Sequence, residues 1–358
     1  MSANSDSPLE WAKPVPKKPL TPYRVTMDDV ARVAGVSRAT VSRVMTGNSS
    51  VSAETIEVVN RAIEELGYVP NPAARSLAGR RNESPTVGLL LRDPMNSVYG
   101  YLFVEMQRQA DEHGFSIVAS APTVRGSNVD EMAALNRLVQ LGVDGVFLAT
   151  GSIKPSDVET LLDKVPMISV GRPELHDEIT AVGYDEDKNG ELIAAKILEH
   201  GHTRVGIELV SEHISVPENR RGQAILRSLR AAGVSVELVR VNPHDAHMAN
   251  TNQMLRLVRE RSISCVAFPT DRRAVRFMQA AQIAGVSVPQ DVSVTGLDGI
   301  STDASSVSLA TIRIPLEVVA SRAARIMGSR IENPRQPVTH EVFAGTFVRG
   351  DSLAGPTL

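Results

Sequence analysis

Between Arg38 and Thr46 the chain reads Arg-Ala-Thr-Val-Ser-Arg-Val-Met-Thr, which places two guanidinium groups and three hydroxyls within little more than two helical turns. A guanidinium can direct two parallel N–H donors at the O6 and N7 atoms of a guanine, and short hydroxyls suit phosphate oxygens. Arg38 and Ala39 at the start of this segment and Arg43 one turn on share the face that a reading helix turns to base edges. Arg43 is expected on a guanine and Arg38 on guanine or phosphate, with Thr40, Ser42 and Thr46 on backbone oxygens. The chemistry this pattern serves is recognition of duplex DNA.

Such residues work only on a rigid element, and the flanking sequence supplies one. Thr26 stands before an apolar stripe of Val30, Val33 and Ala34, with Asp29 three residues on, which is a capping-box start. Gly35 stops that helix. Ser37 caps a second, with Val41 and Val44 facing inward, and so short a Gly35-Val36-Ser37 link between helices is the helix-turn-helix signature. Ser52 caps a third helix that runs to Leu66, with Ile56, Val59, Ile63 and Leu66 as its core face and Gly67 as its stop. After Tyr68-Val69-Pro70-Asn71 comes Pro72-Ala73-Ala74-Arg75-Ser76-Leu77-Ala78-Gly79, a helix too short to be stable alone.

From the Thr26 to Met45 block through the Asn71 to Arg81 segment, the chain closely resembles the LacI/GalR transcription regulators. The resemblance implies that residues 71–81 form a hinge helix that folds on DNA. It makes Leu77 a wedge, inserted with its copy from a second subunit into the minor groove at the operator centre. A paired apolar wedge that unstacks a base step costs roughly a few kcal/mol and yields a bent site that contacts more protein. On the same grounds the expected DNA contacts are Thr26, Ser37, Arg38, Ala39, Thr40, Ser42, Arg43 and Asn48 in the head, and Asn71, Ala74, Leu77 and Ala78 in the hinge.

A chain of 358 residues, 42% hydrophobic and 22% charged, is expected to hold more than one folded domain. The formal charge of −3 looks wrong for a DNA binder, yet residues 1–81 carry 11 Lys and Arg against 8 Asp and Glu, and the remainder 27 against 33. The basic excess is local, and an acidic larger domain is repelled by the duplex. Residues 1–23 are rich in Ser, Pro and Lys and read as a disordered tail with Trp11 as the large anchor. Residues 24–70 form the helix-turn-helix domain and 71–81 the hinge. No secretory signal or membrane-length apolar run is legible, which favours a cytoplasmic protein with no membrane partner.

From residue 85 to 358 apolar strands alternate with amphipathic helices. Strands are expected at 87–91, 115–119, 145–149, 165–170, 204–209, 236–241, 265–268 and 293–297, and helices near 99–113, 130–141, 190–200, 222–232, 246–261, 272–284 and 316–331. This repeated pattern predicts an α/β fold of two doubly wound parallel-sheet lobes, with a ligand crevice at the strand C-termini. The family resemblance continues to about Ser352 and implies a periplasmic-binding-protein-like effector domain that also dimerises. It implies effector contacts from Asn96, Tyr99, Arg172, Arg221, Thr270 and Asp298. Three departures stand out: Tyr99 is the one aromatic in its block, Glu186 replaces an amide, and Thr270 replaces another. Neutral polyols need amide and carboxylate partners plus an aromatic face. A sugar or sugar-derived effector is therefore expected alongside a phosphorylated, acidic or other non-sugar alternative, and an Arg221–Asp298 ion pair of structural purpose stays open.

His200 and His202, and His244 and His247, lack partners at zinc-site spacing, and Cys265 sits in an apolar run as a buried strand residue. No phosphate loop, nucleophile elbow or zinc-protease motif is present, so no enzyme, cofactor or metal is expected. The function expected is a repressor that binds a palindromic operator as a homodimer under control of a small-molecule effector. The rival reading is a small-ligand-binding protein whose head no longer binds DNA.

Overall fold

Capping chemistry sets the first three helices. The computed structural model describes residues 25–45, 51–68, 84–123, 128–151, 153–172, 176–241, 250–300, 305–333 and 336–356. The chain divides into two units, Met1–Arg80 and Arg81–Leu358. In the first, α1 (Met27–Ala34) opens with the expected reciprocal box: the Asp29 amide donates to Thr26 Oγ1 at 3.3 Å and the Thr26 amide to Asp29 Oδ2 at 3.0 Å. These bonds from Thr26, with help from Arg32, hold the Asp29 carboxyl at about 2. Gly35 closes α1 at φ +64°, a left-handed conformation that glycine adopts without Cβ strain.

In α2 (Arg38–Met45) the Thr40 amide donates to Ser37 Oγ at 3.1 Å, and in α3 (Ala53–Leu66) the Thr55 amide donates to Ser52 Oγ at 3.3 Å. Val30, Ala31, Ala34, Val41, Val59, Ala62 and Tyr68 form the core of this unit. Val33, expected on the inward stripe, is 45% exposed, because the buried side of α1 runs through positions 30, 31 and 34 instead. The tail 1–23, the hinge 71–81, and Thr46, His244 and His247 lie outside the described residues.

The second unit contains two parallel sheets. The first takes β1 (Thr86–Leu91), β2 (Ser116–Ser120), β3 (Gly145–Ala149), β4 (Met167–Gly171) and β5 (Thr180–Tyr184). With β11 (His340–Phe343) at one edge, its order is β11-β5-β4-β3-β1-β2. The second takes β6 (Arg204–Leu209), β7 (Ser235–Arg240), β8 (Cys265–Ala267) and β9 (Ser293–Thr295) in the order β7-β6-β8-β9. Strands β1 and β3 are buried along nearly their whole length, as expected of parallel strands covered on both faces. The pattern-based strands are all present within two residues at their N-terminal ends. The β5 and β11 strands, and the antiparallel pair β10 (Thr311–Arg313) and β12 (Thr346–Val348), are additional.

Helices α4 (Ser97–Glu112), α5 (Asn128–Gln140) and α6 (Pro155–Leu162) belong to the first lobe, and α7 (Glu186–Glu199), α8 (Val216–Ala231), α9 (Thr251–Arg259) and α10 (Asp271–Ile283) to the second. The last helix, α11 (Leu316–Glu332), returns to pack on α4, β4 and β5. The chain thus passes between lobes after Tyr184, near Ile314 and between Phe343 and Thr346.

Each sheet reverses its winding order at a pair of neighbouring strands, β1/β3 in one lobe and β6/β8 in the other. A crevice outside the strand ends is the geometric result of such a switch point.

Candidate DNA-reading helix and ligand crevice

On α2 the arrangement follows from which side chains the core takes. Val41 is fully buried, and Arg38, Ala39 and Arg43 on the other side are exposed, with Thr40 and Ser42 half-buried between them. Arg38 lies 3.7 Å from Asp28, but both side chains are about two-thirds exposed, so water screens the pair and the guanidinium can be drawn to a duplex at little cost. The hydroxyls of Thr26 and Ser37 serve the helix caps, and Ser37 Oγ also sits 2.8 Å from Thr40 Oγ1. Contacts from these two positions to phosphate would therefore fall to the N–H groups of the helix ends, which attract anions. Asn48, Asn71, Ala74, Leu77 and Ala78 lie outside the described residues.

In the second unit one crevice is lined from both lobes. Its lining follows the C-terminal ends of the strands: Arg92, Asp93 and Asn96 after β1, Thr150 after β3, Tyr184 at the end of β5, Ser215 and Glu218 after β6, Thr270 after β8 and Asp298 after β9. Of the six expected effector contacts, Asn96, Tyr99, Arg221, Thr270 and Asp298 meet here. Arg172 does not line the crevice. It is buried behind the lining, where its Nη1 donates to the Ile153 carbonyl at 2.9 Å, because its position just after β4 points it into the loop that follows β3. Asn96 caps α4 through a 3.2 Å bond from the Val98 amide, which commits its carbonyl oxygen and leaves its amide group for other partners.

The centre of the crevice is a buried charge cluster. Arg221 forks onto Glu186, with Nε to Oε2 at 2.8 Å and Nη2 to Oε1 at 2.5 Å, while Nη1 donates to Asp298 Oδ1 at 3.1 Å and to the Pro269 carbonyl at 2.9 Å. Burial opposes the charge on Arg221, but Glu186 and Asp298 outweigh it and keep the guanidinium protonated. Burial pushes the Glu186 and Asp298 carboxyls above the usual carboxylate range, by more than Arg221 lowers them, and it raises the Tyr184 hydroxyl as well. Glu186 thus holds Arg221 in place.

Asp298 adopts φ +142°, a conformation an L-residue holds only when its surroundings impose it. Its amide donates to the Ile312 carbonyl at 3.1 Å and its carbonyl accepts from the Ile314 amide at 3.0 Å, so the strand that crosses between lobes fixes this carboxylate.

Several crevice residues were not singled out from sequence. Arg92 reaches from the first lobe to the Ile214 carbonyl of the second and lies 3.8 Å from Glu218, while Arg272 lies 3.6 Å from Asp93, so charged contacts span the opening at two points. Arg273 bonds Glu208 at 3.2 Å. The Arg272-Arg273 pair just after Asp271 was a legible signal, because two arginines at a helix start following a strand fall at the strand-end crevice. Among the described residues no cluster of His, Cys, Asp and Glu could hold a metal ion, and no helix is long and apolar enough to cross a membrane.

Residues 26–71 match the family described as bacterial regulatory proteins, lacI family, and residues 194–353 match the periplasmic binding protein-like domain. The chain is 30% identical over 340 residues to the transcriptional regulator GalR of Salmonella typhimurium strain LT2, a match spanning 93% of this chain and 97% of that protein. It is 26% identical to the regulator in the CelR–cellobiose complex, with a TM-score of 0.65 over 92% of this chain and all of that one. The fold also matches that of the lac repressor dimer bound to operator and the anti-inducer ONPF, at 22% identity and TM-score 0.75 over 92% of this chain and 99% of that one. With a helix-turn-helix head ahead of a parallel-sheet α/β domain of periplasmic-binding-protein type, the chain belongs to the LacI family of DNA-binding transcriptional regulators.

Proposed function

We propose that the protein is a repressor that binds a palindromic operator as a homodimer and is released from or recruited to it by a small-molecule effector held in the two-lobe crevice. The observation that carries this reading is a two-lobe crevice with a buried charge cluster at the switch points of both sheets, in a chain that also presents Arg38 and Arg43 on a capped reading helix. A group that bridges two lobes changes their relative pose, and a dimer converts that change into a new spacing of its two heads. A twofold protein matches a pseudo-palindromic site, which is why a homodimer fits.

A sugar or sugar-derived metabolite suits the crevice, which offers carboxylates, the Asn96 amide and the Tyr99 and Tyr184 rings to a hydroxyl-rich ligand. The CelR structure contains cellobiose, so a carbohydrate in this fold has a precedent. In the hinge, Leu77 serves as the minor-groove wedge and Asn71, Ala74 and Ala78 contact the duplex beside it; Asn48 reaches DNA from the head.

Selection of bound duplexes from a random pool, followed by affinity against salt on the winning sequence, tests the reading. A palindromic site with a flexible central step and a steep salt slope is expected. Weak binding without sequence preference would remove the repressor assignment. Leu77→Ala should lose operator bending and affinity while ligand binding is retained; unchanged operator affinity would remove the wedge.

A further inference from the structure

Arg92 stands at the end of β1, where its amide still pairs with the Ala149 carbonyl of β3, and its side chain leaves the first lobe for the second. The guanidinium is buried, and its Nη2 donates to the carbonyl of Ile214 in the turn that leads into α8. Nη1 lies 3.8 Å from Glu218 in the first turn of α8, and the Tyr99 hydroxyl of the first lobe sits beside the same guanidinium.

The loop after β3 is shaped around this arginine. A Cβ on Gly151 would lie 2.5 Å from Arg92 Nη1 and 2.9 Å from its Cζ, so any larger residue would push the guanidinium from its place. Gly151 lies outside the left-handed region, so the arginine, not the backbone, calls for glycine. Arg92 also has a second seat within reach. Glu131 in α5 is fully buried in the first lobe; its Oε2 accepts from the Thr150 hydroxyl, while its Oε1 accepts no hydrogen bond among the described residues. That open oxygen lies 3.9 Å from Arg92 Nε, and a shift of about 1 Å closes the gap to bonding distance. A guanidinium that lets go of the second lobe therefore finds an acceptor in its own lobe, one whose present lack of a donor is costly.

We propose that Arg92 is a latch: in the ligand-free protein its guanidinium closes the crevice across both lobes, and the site opens to an effector when the arginine gives up Ile214 and Glu218 for Glu131. The proposal rests on the reading of the crevice as the effector site. Glu218 and Tyr99 line the crevice, so a ligand that reached them would meet Arg92 already there, and latch and ligand compete. The other contact across the opening, Arg272 to Asp93 at 3.6 Å, involves an arginine that is 26% exposed, and water weakens such a pair.

Hydrogen exchange of the full-length, ligand-free protein, read by mass spectrometry, tests this with Arg92→Ala and Gly151→Ala. The first removes the guanidinium; the second keeps it but displaces it. In both variants the amides of residues 93–99 and 211–219, on the two lips of the crevice, are expected to exchange about tenfold or more faster than in the parent, while those of strands 145–149 and 204–209 keep their parent rates. Parent rates at the lips in either variant overturn the latch. Exchange that rises equally in lips and strands marks Arg92 as a general packing residue and overturns it as well. Operator affinity without ligand, on the duplex selected from the random pool, separates the latch from the effector reading. Both variants are expected to shift it about fivefold or more in the same direction. Opened lips with parent affinity for the operator would keep the latch and overturn the crevice as the seat of control.

Discussion

Arg221 and its partners show how a single buried group can be structural and functional at once. Replacing Arg221 by Ala leaves Glu186 and Asp298 buried without their cation, and a broken buried pair costs about 3–5 kcal/mol. Removing the fork on both sides, Arg221→Met with Glu186→Gln, should cost far less than Arg221→Ala alone, and denaturant midpoints of the three proteins give the comparison. Asp298 supplies a pH test. Burial raises its carboxyl well above the usual range, so the folded state takes up a proton that the unfolded chain has already released. Its contribution is full below the ordinary carboxylate range and declines as pH rises toward the raised value. Asp298→Asn should therefore gain stability relative to the parent as pH increases from about 4 toward neutrality. Melting temperatures across that window decide it, and a difference that is flat with pH would show that Asp298 is ionised like any surface acid. On the head, Arg43→Ala is expected to cost about 1–3 kcal/mol at the operator and to relax preference at one base pair. Competition between operators that differ at single positions would reveal which pair it reads.

At the scale of elements, the crevice depends on how closely α7 and α8 approach. Gly190 sits where a Cβ would lie 2.5 Å from the Arg221 carbonyl oxygen and 2.7 Å from Ala224 Cβ. Gly190→Ala must push the two helices apart, costing about 1–3 kcal/mol from overpacking and moving Arg221 off Glu186. Thermal unfolding together with ligand affinity should show both losses at once. The periodic parts of this architecture were legible: strands such as Val87–Leu91 and Gly145–Ala149 are continuous apolar runs, and the first three helices carry their caps and stops in the sequence. The Thr180–Tyr184 strand was not, because Gly183 and two small residues dilute its apolar signal, and its burial comes from neighbours on either side. The three-residue β10 and β12 strands have no pattern to read, since their pairing is set by the crossings between lobes. The crevice was legible in part for the same reason. Thr270 and Asp298 follow apolar strands that announce themselves, whereas Glu218 and Arg273 are recruited by packing partners distant in sequence.

At the scale of the whole molecule, the question is how a small change in a crevice alters binding to DNA. The two lobes are joined by three passages of the chain among the described residues, and Arg92 with Ile214 and Glu218, and Arg272 with Asp93, link them across the opening. Relative motion of the lobes is therefore confined to a hinge-like change with charged contacts to break or make. That motion matters to DNA only if two heads must be positioned together. In a dimer the second head binds as an intramolecular event once the first is seated, so a full palindrome should exceed an isolated half-site in affinity by about 10²–10⁴, the range expected for linked sites. The same coupling predicts that effector alters affinity for the full palindrome but leaves the half-site nearly unchanged, because it acts on the spacing of the heads and not on Arg38 or Arg43. Fluorescence titration of the two duplexes, with and without a crevice ligand, separates these cases. Equal effects on both would mean that the ligand acts within one subunit's head, and would remove head spacing as the route of control.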